Sequence, residues 1–147
     1  MSEVGAASSL HQYTCVALGG RGLLIAGAPG TGKSSLALAL MDRGADLVGD
    51  DGVSLRAQSG RLIASPAPTT RGLLDIRNVG LVSVPTRADV PVALILHLDA
   101  QAPRFIEQAG LKMILSISLP VVELWPDSPV LALRAEWALK QHGLKLS

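Results

Sequence analysis

The chain has 147 residues, 48% of them hydrophobic but only 3% aromatic, and a formal net charge of +1. This length favours a single domain covering residues 1–147, with a core of aliphatic side chains. The near balance of 13 basic and 12 acidic side chains excludes the basic excess that drives binding to a phosphate backbone, so nucleic acid is not an expected partner.

The cysteine content and the apolar runs predict a cytoplasmic protein that does not enter a membrane. Cys15 is the only cysteine, so no internal disulfide can form, and its apolar surroundings favour a buried side chain. The N-terminal residues include Glu3 and no long apolar stretch, unlike a secretory signal. The longest apolar runs, such as residues 92–96, have the length of a strand and are too short to span a bilayer.

The first predicted elements are two strands, a loop and a helix. Residues 13–18 alternate and are rich in β-forming side chains, and a glycine-rich turn joins them to the apolar run at residues 23–26. Residues 27–34 follow directly and read Gly-Ala-Pro-Gly-Thr-Gly-Lys-Ser, which matches the P-loop pattern G-x-x-x-x-G-K-[ST]. A helix is predicted from residue 34 to about residue 43, with Gly44 as its C′ residue.

Each fixed position of the P-loop pattern has a chemical role. The glycines allow backbone conformations that direct N–H groups at phosphate oxygens, and the helix N-terminus adds a partial positive charge. Lys33 reaches the β and γ phosphates, and the Ser34 hydroxyl ligates Mg²⁺. The sequence therefore predicts a nucleotide site. Its predicted phosphate-binding residues are Gly27, Ala28, Pro29, Gly30, Thr31, Gly32, Lys33, Ser34 and Ser35.

Short strands and turns fill most of the remaining chain. The predicted elements are a strand at 45–49, a hairpin of strands at 53–57 and 61–64, a loop at 66–70, strands at 81–84 and 92–98, a short helix at 104–108 and a strand at 111–119. Residues 71–80 fit neither a helical nor a strand period. Many short strands with few helices indicate an α/β fold, a mixed sheet with flanking helices.

The last predicted element is a helix near the C-terminal end. Ser128 is the expected N-cap, Pro129 the first helical residue and Gly143 the residue at the end of the helix. Helical spacing predicts one apolar face that packs in the core, formed by Val130, Leu133 and Trp137.

Two places compete for the carboxylate that phosphoryl transfer requires beside the cation. Asp50 and Asp51 follow the strand at 45–49, and if this strand packs beside the P-loop strand, its end lies at the phosphate edge. Asp99 follows the strand at 92–98, the usual place of a Walker B ligand. Both positions also fit plain polar turns, and the residues alone leave the choice open.

The order of four segments resembles the catalytic domain of HPr kinase/phosphorylase. The segments are His11, the P-loop, residues 47–51 (Leu-Val-Gly-Asp-Asp) and residues 72–80 (Gly-Leu-Leu-Asp-Ile-Arg-Asn-Val-Gly), and the resemblance covers about residues 8–120. That family phosphorylates a serine of HPr, the small carrier protein of the phosphotransferase system. The resemblance implies a short form without the usual N-terminal domain, a phosphoenolpyruvate-carboxykinase-like topology, ATP and Mg²⁺ as cofactors, and a homo-oligomer, a hexamer.

The resemblance also assigns roles to acidic and basic residues around the P-loop. Asp51 would accept the proton of the HPr serine, and Asp50 would support it electrostatically or help to hold Mg²⁺. Lys33 would neutralise charge on the transferring phosphoryl group. Ser34 and Asp75 would ligate Mg²⁺, with water and phosphate oxygens completing the octahedron.

Further positions either match or depart from the family pattern. His11 falls where the family has a histidine near the phosphate, and Arg104 falls where a catalytic arginine would follow the Asp99 strand; both also fit exposed surface side chains. Asp75 stands where the family usually has Glu, and Asn78 stands where it has a glycine. The Pro-, Gly- and Arg-rich segment linked to dephosphorylation is not recognisable, which leaves the phosphorylase direction without sequence support.

Three other functions fit parts of this pattern. A regulatory module would bind ATP and signal by protein contact without turnover. A small-molecule P-loop kinase would need an Arg-rich lid, and no arginine cluster serves as one. An ATPase would use Asp99 as its acidic residue.

Overall fold

Eleven strands and two α-helices make up the regular structure of residues 7–146, which are the residues that the computed structural model describes. The strands are β1 (Ser9–His11), β2 (Thr14–Leu18), β3 (Arg21–Gly27), β4 (Asp46–Gly49), β5 (Val53–Gln58), β6 (Arg61–Pro66), β7 (Leu73–Ile76), β8 (Gly80–Ser83), β9 (Val90–Leu98), β10 (Gly110–Ile114) and β11 (Ile117–Leu124). The helices are α1 (Lys33–Asp42) and α2 (Leu131–His142), and a 3₁₀ turn spans Pro68–Thr70.

Nine of the strands form one mixed sheet, and β7 and β8 form a separate hairpin. The main order is β1-β5-β6-β9-β3-β2-β4, and β11, with β10 outside it, pairs with the C-terminal half of β9. The neighbours β3, β9 and β11 run parallel, while β2 is antiparallel to both β3 and β4. The C-terminal ends of β3, β4, β9 and β11 therefore lie at the same edge of the sheet. The predicted mixed sheet with flanking helices is confirmed.

The central strands are buried on both faces, which explains their unbroken apolar runs. Leu23 and Ile25 of β3 pack into the cluster that includes both helices, whereas Leu24 packs into a second cluster on the opposite face. Cys15 belongs to that second cluster, as the sequence predicts, and its burial raises the pKa of the thiol. The sheet is thus a rigid support for the loops at its edge.

Helix α1 packs against the sheet through Leu36 and Leu40 and ends at Asp42. Gly44 follows the C-cap with a positive φ of 104°, as expected of a C′ glycine. Arg43 connects α1 to α2 through a bidentate pair with Glu136 at 2.7 and 2.8 Å. The hydrogen bond from Arg43 holds the pKa of the Glu136 carboxyl below its usual range.

Two elements between β9 and α2 differ from their predictions. The helix predicted at residues 104–108 is wrong, because this segment has no regular structure. Ile106 packs against the core, whereas Phe105 is exposed; a stretch this short gains little from helix formation on its own. The single strand predicted at residues 111–119 is a hairpin, β10 and β11. Its turn is made by Leu115 and Ser116 with φ of 50° and 68°, so the usual Gly or Asn signal is missing from the sequence.

Helix α2 begins later than predicted and turns a different face inward. The Ser128 hydroxyl accepts the Val130 N–H at 3.1 Å, so it closes a turn before the helix and does not cap it. Trp137 is 60% exposed, which makes its assignment to the core wrong. The expected core face also leaves Val130 and Leu133 exposed; the face that packs inward consists of Leu131, Ala135, Ala138 and Leu139. The small alanines let the helix approach the sheet closely.

Strand β4, which precedes Asp50 and Asp51, does not lie beside β3, which precedes the P-loop. Strand β2 lies between β4 and β3, pairing with each. Because β2 is antiparallel to both, β4 still points in the direction of β3. Asp50 and Asp51 therefore reach the expected edge of the sheet from one strand further away.

Candidate functional site

The loop after β3 leads into α1, and glycines determine its backbone path. Gly27 has a φ of 155°, and a Cβ there would lie 2.7 Å from Thr31 Oγ1 and 3.1 Å from the Leu98 carbonyl oxygen. Gly32 precedes α1 with a φ of 97°, a conformation that favours glycine. Residues at the start of a helix have backbone N–H groups without an intrahelical partner. The loop therefore offers a set of N–H donors at the sheet edge.

A cavity of about 400 Å³ opens beside this loop. Its lining residues are Gln12, Thr14, Gly27, Pro29, Gly30, Gly32, Lys33, Ser34, Ser35, Asp51, Asp75 and Arg77. Lys33 folds back over the loop, and its Nζ donates to the carbonyl oxygens of Gly27 at 2.9 Å and Ala28 at 3.3 Å. The Thr31 hydroxyl donates to the same Ala28 oxygen at 2.8 Å. Lys33 and Arg77 thus bring positive charge to this cavity, and Asp51 and Asp75 bring negative charge.

Asp50 is joined directly to the predicted magnesium ligand. The Ser34 hydroxyl donates to Asp50 Oδ1 at 2.6 Å, and the Thr14 hydroxyl donates to the same oxygen at 3.1 Å. The other carboxylate oxygen accepts the backbone N–H of Asp75 at 3.2 Å. Asp50 thereby ties together α1, β2 and β7.

Asp51 has a different position from its neighbour. Its backbone adopts the left-handed conformation with a φ of 55°, which is uncommon for a residue other than glycine. The Asp51 N–H donates to Thr14 Oγ1 at 3.1 Å, and the residue is exposed on the cavity wall. Its carboxylate is therefore open to a molecule in the cavity.

The hairpin β7–β8 closes one side of the cavity. Asp75 lies on β7 and Arg77 follows in the turn, and both line the cavity. This is the segment that the sequence periods left unassigned. Asn78, at a φ of 68°, completes the turn in a conformation that asparagine tolerates better than most residues.

Five predicted site residues are not among the lining residues: His11, Ala28, Thr31, Asp50 and Arg104. Ala28 and Thr31 belong to the loop itself and Asp50 is bonded to Ser34, whereas His11 and Arg104 lie elsewhere. His11 ends β1 and is bonded through Nε2 to the Ser9 hydroxyl at 2.8 Å, while its neighbour Gln12 lines the cavity. Arg104 borders a separate depression, near Trp125 and Arg134. The structure therefore brings together the lysine, serine and aspartates of the prediction but not His11 or Arg104.

Asp99 belongs to another surface group. It follows β9, and its Oδ1 accepts the Gln101 N–H at 2.8 Å. Ligand atoms of His97, Asp99 and Glu123 lie within 4.8 Å of one another, and His97 faces Glu123 across the β9–β11 pair with 3.8 Å between Nδ1 and Oε2. Because Asp50 is bonded to Ser34 and Asp51 lines the cavity, whereas Asp99 does neither, the geometry favours Asp50 and Asp51 over Asp99 as the acids beside Ser34.

Thr14 and Gln12 are the lining residues that sequence reasoning missed. Thr14 carries the single hydroxyl of the otherwise apolar strand Thr-Cys-Val-Ala-Leu, and this hydroxyl is the one feature of the sequence that could have indicated a role. Gln12 carries no such signal.

Comparison with known proteins identifies the family of this chain. A family profile described as "HPr Serine kinase C-terminal domain" matches residues 3–90, more than half of the chain. The chain belongs to this family. Among curated relatives, the HPr kinase/phosphorylase of Latilactobacillus sakei subsp. sakei is 35% identical over 116 residues, and that of Clostridium tetani is 38% identical over 87 residues.

The matches to these HPr kinase family members cover different shares of each chain. The matched segments span 70% and 54% of this chain but only 37% and 28% of the L. sakei and C. tetani proteins, so the chain corresponds to about a third of their length. A solved structure, described as the Hpr(Ser) kinase/phosphatase from Coxiella burnetii, superposes with a TM-score of 0.80 at 27% identity, over 90% of this chain and 88% of that one. The α/β fold therefore matches an HPr kinase structure along most of the chain.

Proposed function

We propose that this chain is an ATP- and Mg²⁺-dependent protein serine kinase that acts on an HPr-like carrier protein. The observation that carries the proposal is the 2.6 Å hydrogen bond between Ser34 and Asp50, next to a cavity that Lys33 and Asp51 both line. Phosphoryl transfer requires a phosphate-binding lysine, a cation ligand and an acid beside the acceptor. These groups meet at one edge of the sheet.

The donor set fits a nucleotide phosphate with Mg²⁺. The Ser34 hydroxyl donates a hydrogen bond to Asp50, which leaves the lone pairs of the Ser34 oxygen available to a cation. Asp75 lies on the cavity wall and supplies a carboxylate oxygen, the ligand type that Mg²⁺ prefers. When held by Ser34 and Asp75, Mg²⁺ would supply positive charge beside the phosphates. The backbone N–H groups of residues 27–35, except that Pro29 has none, would bind phosphate oxygens.

In the proposed mechanism the side chains divide three tasks. Lys33 leaves the loop carbonyls and pairs with the phosphoryl group in transfer, and Arg77 adds positive charge from the β7–β8 turn. Asp51 accepts the proton of the incoming serine hydroxyl. Asp50 keeps Ser34 in place through its hydrogen bond.

A protein acceptor is supported by the surface around the cavity. Leu73 and Leu81 share the outward face of the β7–β8 hairpin with Asp75, because Asp75 pairs directly with Leu81 across the two strands. Leu81 is 69% exposed, and Val79 in the turn is 70% exposed. A protein that brings a serine to the cavity would cover this apolar face, whereas a small molecule would leave it exposed.

The domain boundaries, topology, oligomeric state and cellular location of the chain are also proposals. We propose one P-loop domain over residues 1–147, with a phosphoenolpyruvate-carboxykinase-like topology supported by the parallel β3, β9 and β11 inside a mostly antiparallel sheet. A homo-oligomer, a hexamer, is proposed from the resemblance, and a cytoplasmic location without nucleic acid or membrane contact is proposed from the composition. No helix within residues 7–146 is long and apolar enough to cross a membrane.

The decisive experiment is incubation of HPr with this chain and Mg-ATP, followed by mass spectrometry. We expect HPr to gain the mass of one phosphoryl group on a serine, and an HPr variant with alanine at that serine to stay unmodified. Unmodified wild-type HPr would overturn the kinase proposal. Repeating the reaction with phospho-HPr and inorganic phosphate tests the phosphorylase direction.

Regulatory ATP binding without transfer is the second candidate function. It is favoured by the position of Arg104, which borders a depression separate from the phosphate cavity, so the site lacks the expected arginine from that loop. In that case ATP would bind with the affinity of a P-loop protein while HPr stayed unmodified.

Replacing Leu81 with serine tests the docking face. We expect the KM for HPr to rise roughly tenfold, because burial of a leucine side chain contributes about 1.5–3 kcal/mol, while the KM for ATP stays unchanged. Leu111→Ser is the matched control, since Leu111 is 76% exposed on β10 and does not line the cavity. Equal effects of the two substitutions on the KM for HPr would contradict a docking role for the hairpin.

A further inference from the structure

Apart from the largely apolar side chains of Tyr13 and Cys15, Thr14 is the only buried residue with a polar or charged side chain among residues 7–146, at 1% exposure. It begins β2, whose following residues Cys15, Val16 and Ala17 are buried and apolar. A hydroxyl in such a strand has a desolvation cost that a valine of similar shape would avoid. Packing alone therefore does not account for threonine at this position.

The Thr14 hydroxyl connects the two adjacent acids. It donates its proton to Asp50 Oδ1 at 3.1 Å and accepts the backbone N–H of Asp51 at 3.1 Å. The first bond supports the carboxylate that holds Ser34. The second supports a residue in the left-handed conformation, which costs free energy outside glycine and persists where neighbouring groups hold it.

We propose that Thr14 is a positioning residue for phosphoryl transfer, which fixes Asp50 against Ser34 and holds Asp51 with its carboxylate toward the cavity. This role rests on the proposed kinase function. Thr14 acts through the two acids, and its use of one oxygen as donor and acceptor requires a hydroxyl at this position. Because β2 lies between the P-loop strand and β4, it is the strand best placed to carry such a group.

The test compares Thr14→Val, which keeps the shape and removes the hydroxyl, with Thr14→Ser, which keeps the hydroxyl. We expect Thr14→Val to lower kcat for HPr phosphorylation by roughly 10- to 100-fold, the range for a misplaced catalytic group, with the KM for ATP nearly unchanged. Thr14→Ser should recover most of kcat. Circular dichroism and the melting temperature verify that both variants fold.

Amide hydrogen exchange provides a second measurement that needs no turnover. The Asp51 amide should exchange about tenfold faster or more in Thr14→Val than in the parent, and close to the parent rate in Thr14→Ser. Unchanged exchange and unchanged kcat in Thr14→Val would overturn the positioning role, as would an equal loss in both variants. If the parent protein does not phosphorylate HPr, that result overturns the proposed kinase function. The exchange rates of the Asp51 amide still decide whether Thr14 holds Asp51.

Discussion

Replacing Lys33 with alanine is expected to weaken Mg-ATP binding by roughly 10- to 100-fold, because a hydrogen bond to a charged group contributes about 1.5–3 kcal/mol. Lys33 Nζ lies 2.9 Å from the Gly27 carbonyl oxygen, at the mouth of the loop where the phosphates are proposed to bind. Phosphate oxygens would replace two neutral carbonyl acceptors with charged ones. Phosphoryl transfer should fall more than binding does, since charge on the phosphoryl group must be neutralised during the reaction.

Equilibrium titration with a non-hydrolysable ATP analogue measures the affinity, and phosphorylation of HPr measures the rate. Lys140→Ala is the control, because Lys140 lies on α2 with its Nζ 4.5 Å from the centre of the Trp137 ring and does not line the cavity. If Lys33→Ala keeps the parent affinity and rate, Lys33 does not contact phosphate. A loss in Lys140→Ala of the same size would indicate a general effect of removing positive charge.

Local signals predicted the region around the P-loop well. The glycine-rich turn, the apolar run and the loop pattern gave β2, β3 and α1 close to their observed bounds. These elements are close in sequence, and each has its own marker: Gly44 follows the C-cap of α1 with the positive φ that its position requires. The mixed α/β fold followed from the number and length of the strand-like runs.

Elements without a local marker were predicted less well. The β10–β11 turn has Leu115 and Ser116 at positive φ, where a Gly or Asn would usually indicate such a turn in the sequence. Helix α2 has two apolar stripes, and its spacing alone could not show which one meets the sheet. Close packing selects the alanine-containing stripe and leaves Trp137 exposed.

The candidate site depends on contacts between distant residues. The sequence offered Asp50 and Asp51 as one of two candidate acid sites, and the family resemblance favoured them. The position of β2 between β4 and β3 was not predicted, and with it Thr14 was missed. The hydrogen bond from Thr14 to Asp50 joins residues 36 positions apart, so only the folded chain reveals it. His11 shows the reverse case, a position suggested by sequence order whose side chain is bonded to Ser9 instead of lining the cavity.

Asp51→Asn should lower phosphoryl transfer to HPr by roughly 10²–10⁴-fold, the usual contribution of a general base, and leave ATP binding nearly unchanged. Asparagine tolerates the left-handed backbone of position 51 and keeps the size of the side chain, but its amide cannot accept the serine proton. Asp89→Asn is a matched control, because Asp89 also has a positive φ, 56°, and forms an ion pair with Arg56 outside the cavity lining. Transfer at the parent rate in Asp51→Asn would remove Asp51 as the base.

Asp50→Asn should behave differently and thereby separate the two acids. Asp50 accepts hydrogen bonds from Ser34, Thr14 and the Asp75 backbone, so its replacement disturbs the proposed cation site itself. We expect Asp50→Asn to weaken the Mg²⁺-dependent part of ATP binding as well as the rate, whereas Asp51→Asn affects the rate alone. If the two variants lost the same property by the same amount, the acids would act as one group. A loss of Mg²⁺-dependent binding in Asp51→Asn, with Asp50→Asn unaffected, would mean that the proposed roles are exchanged.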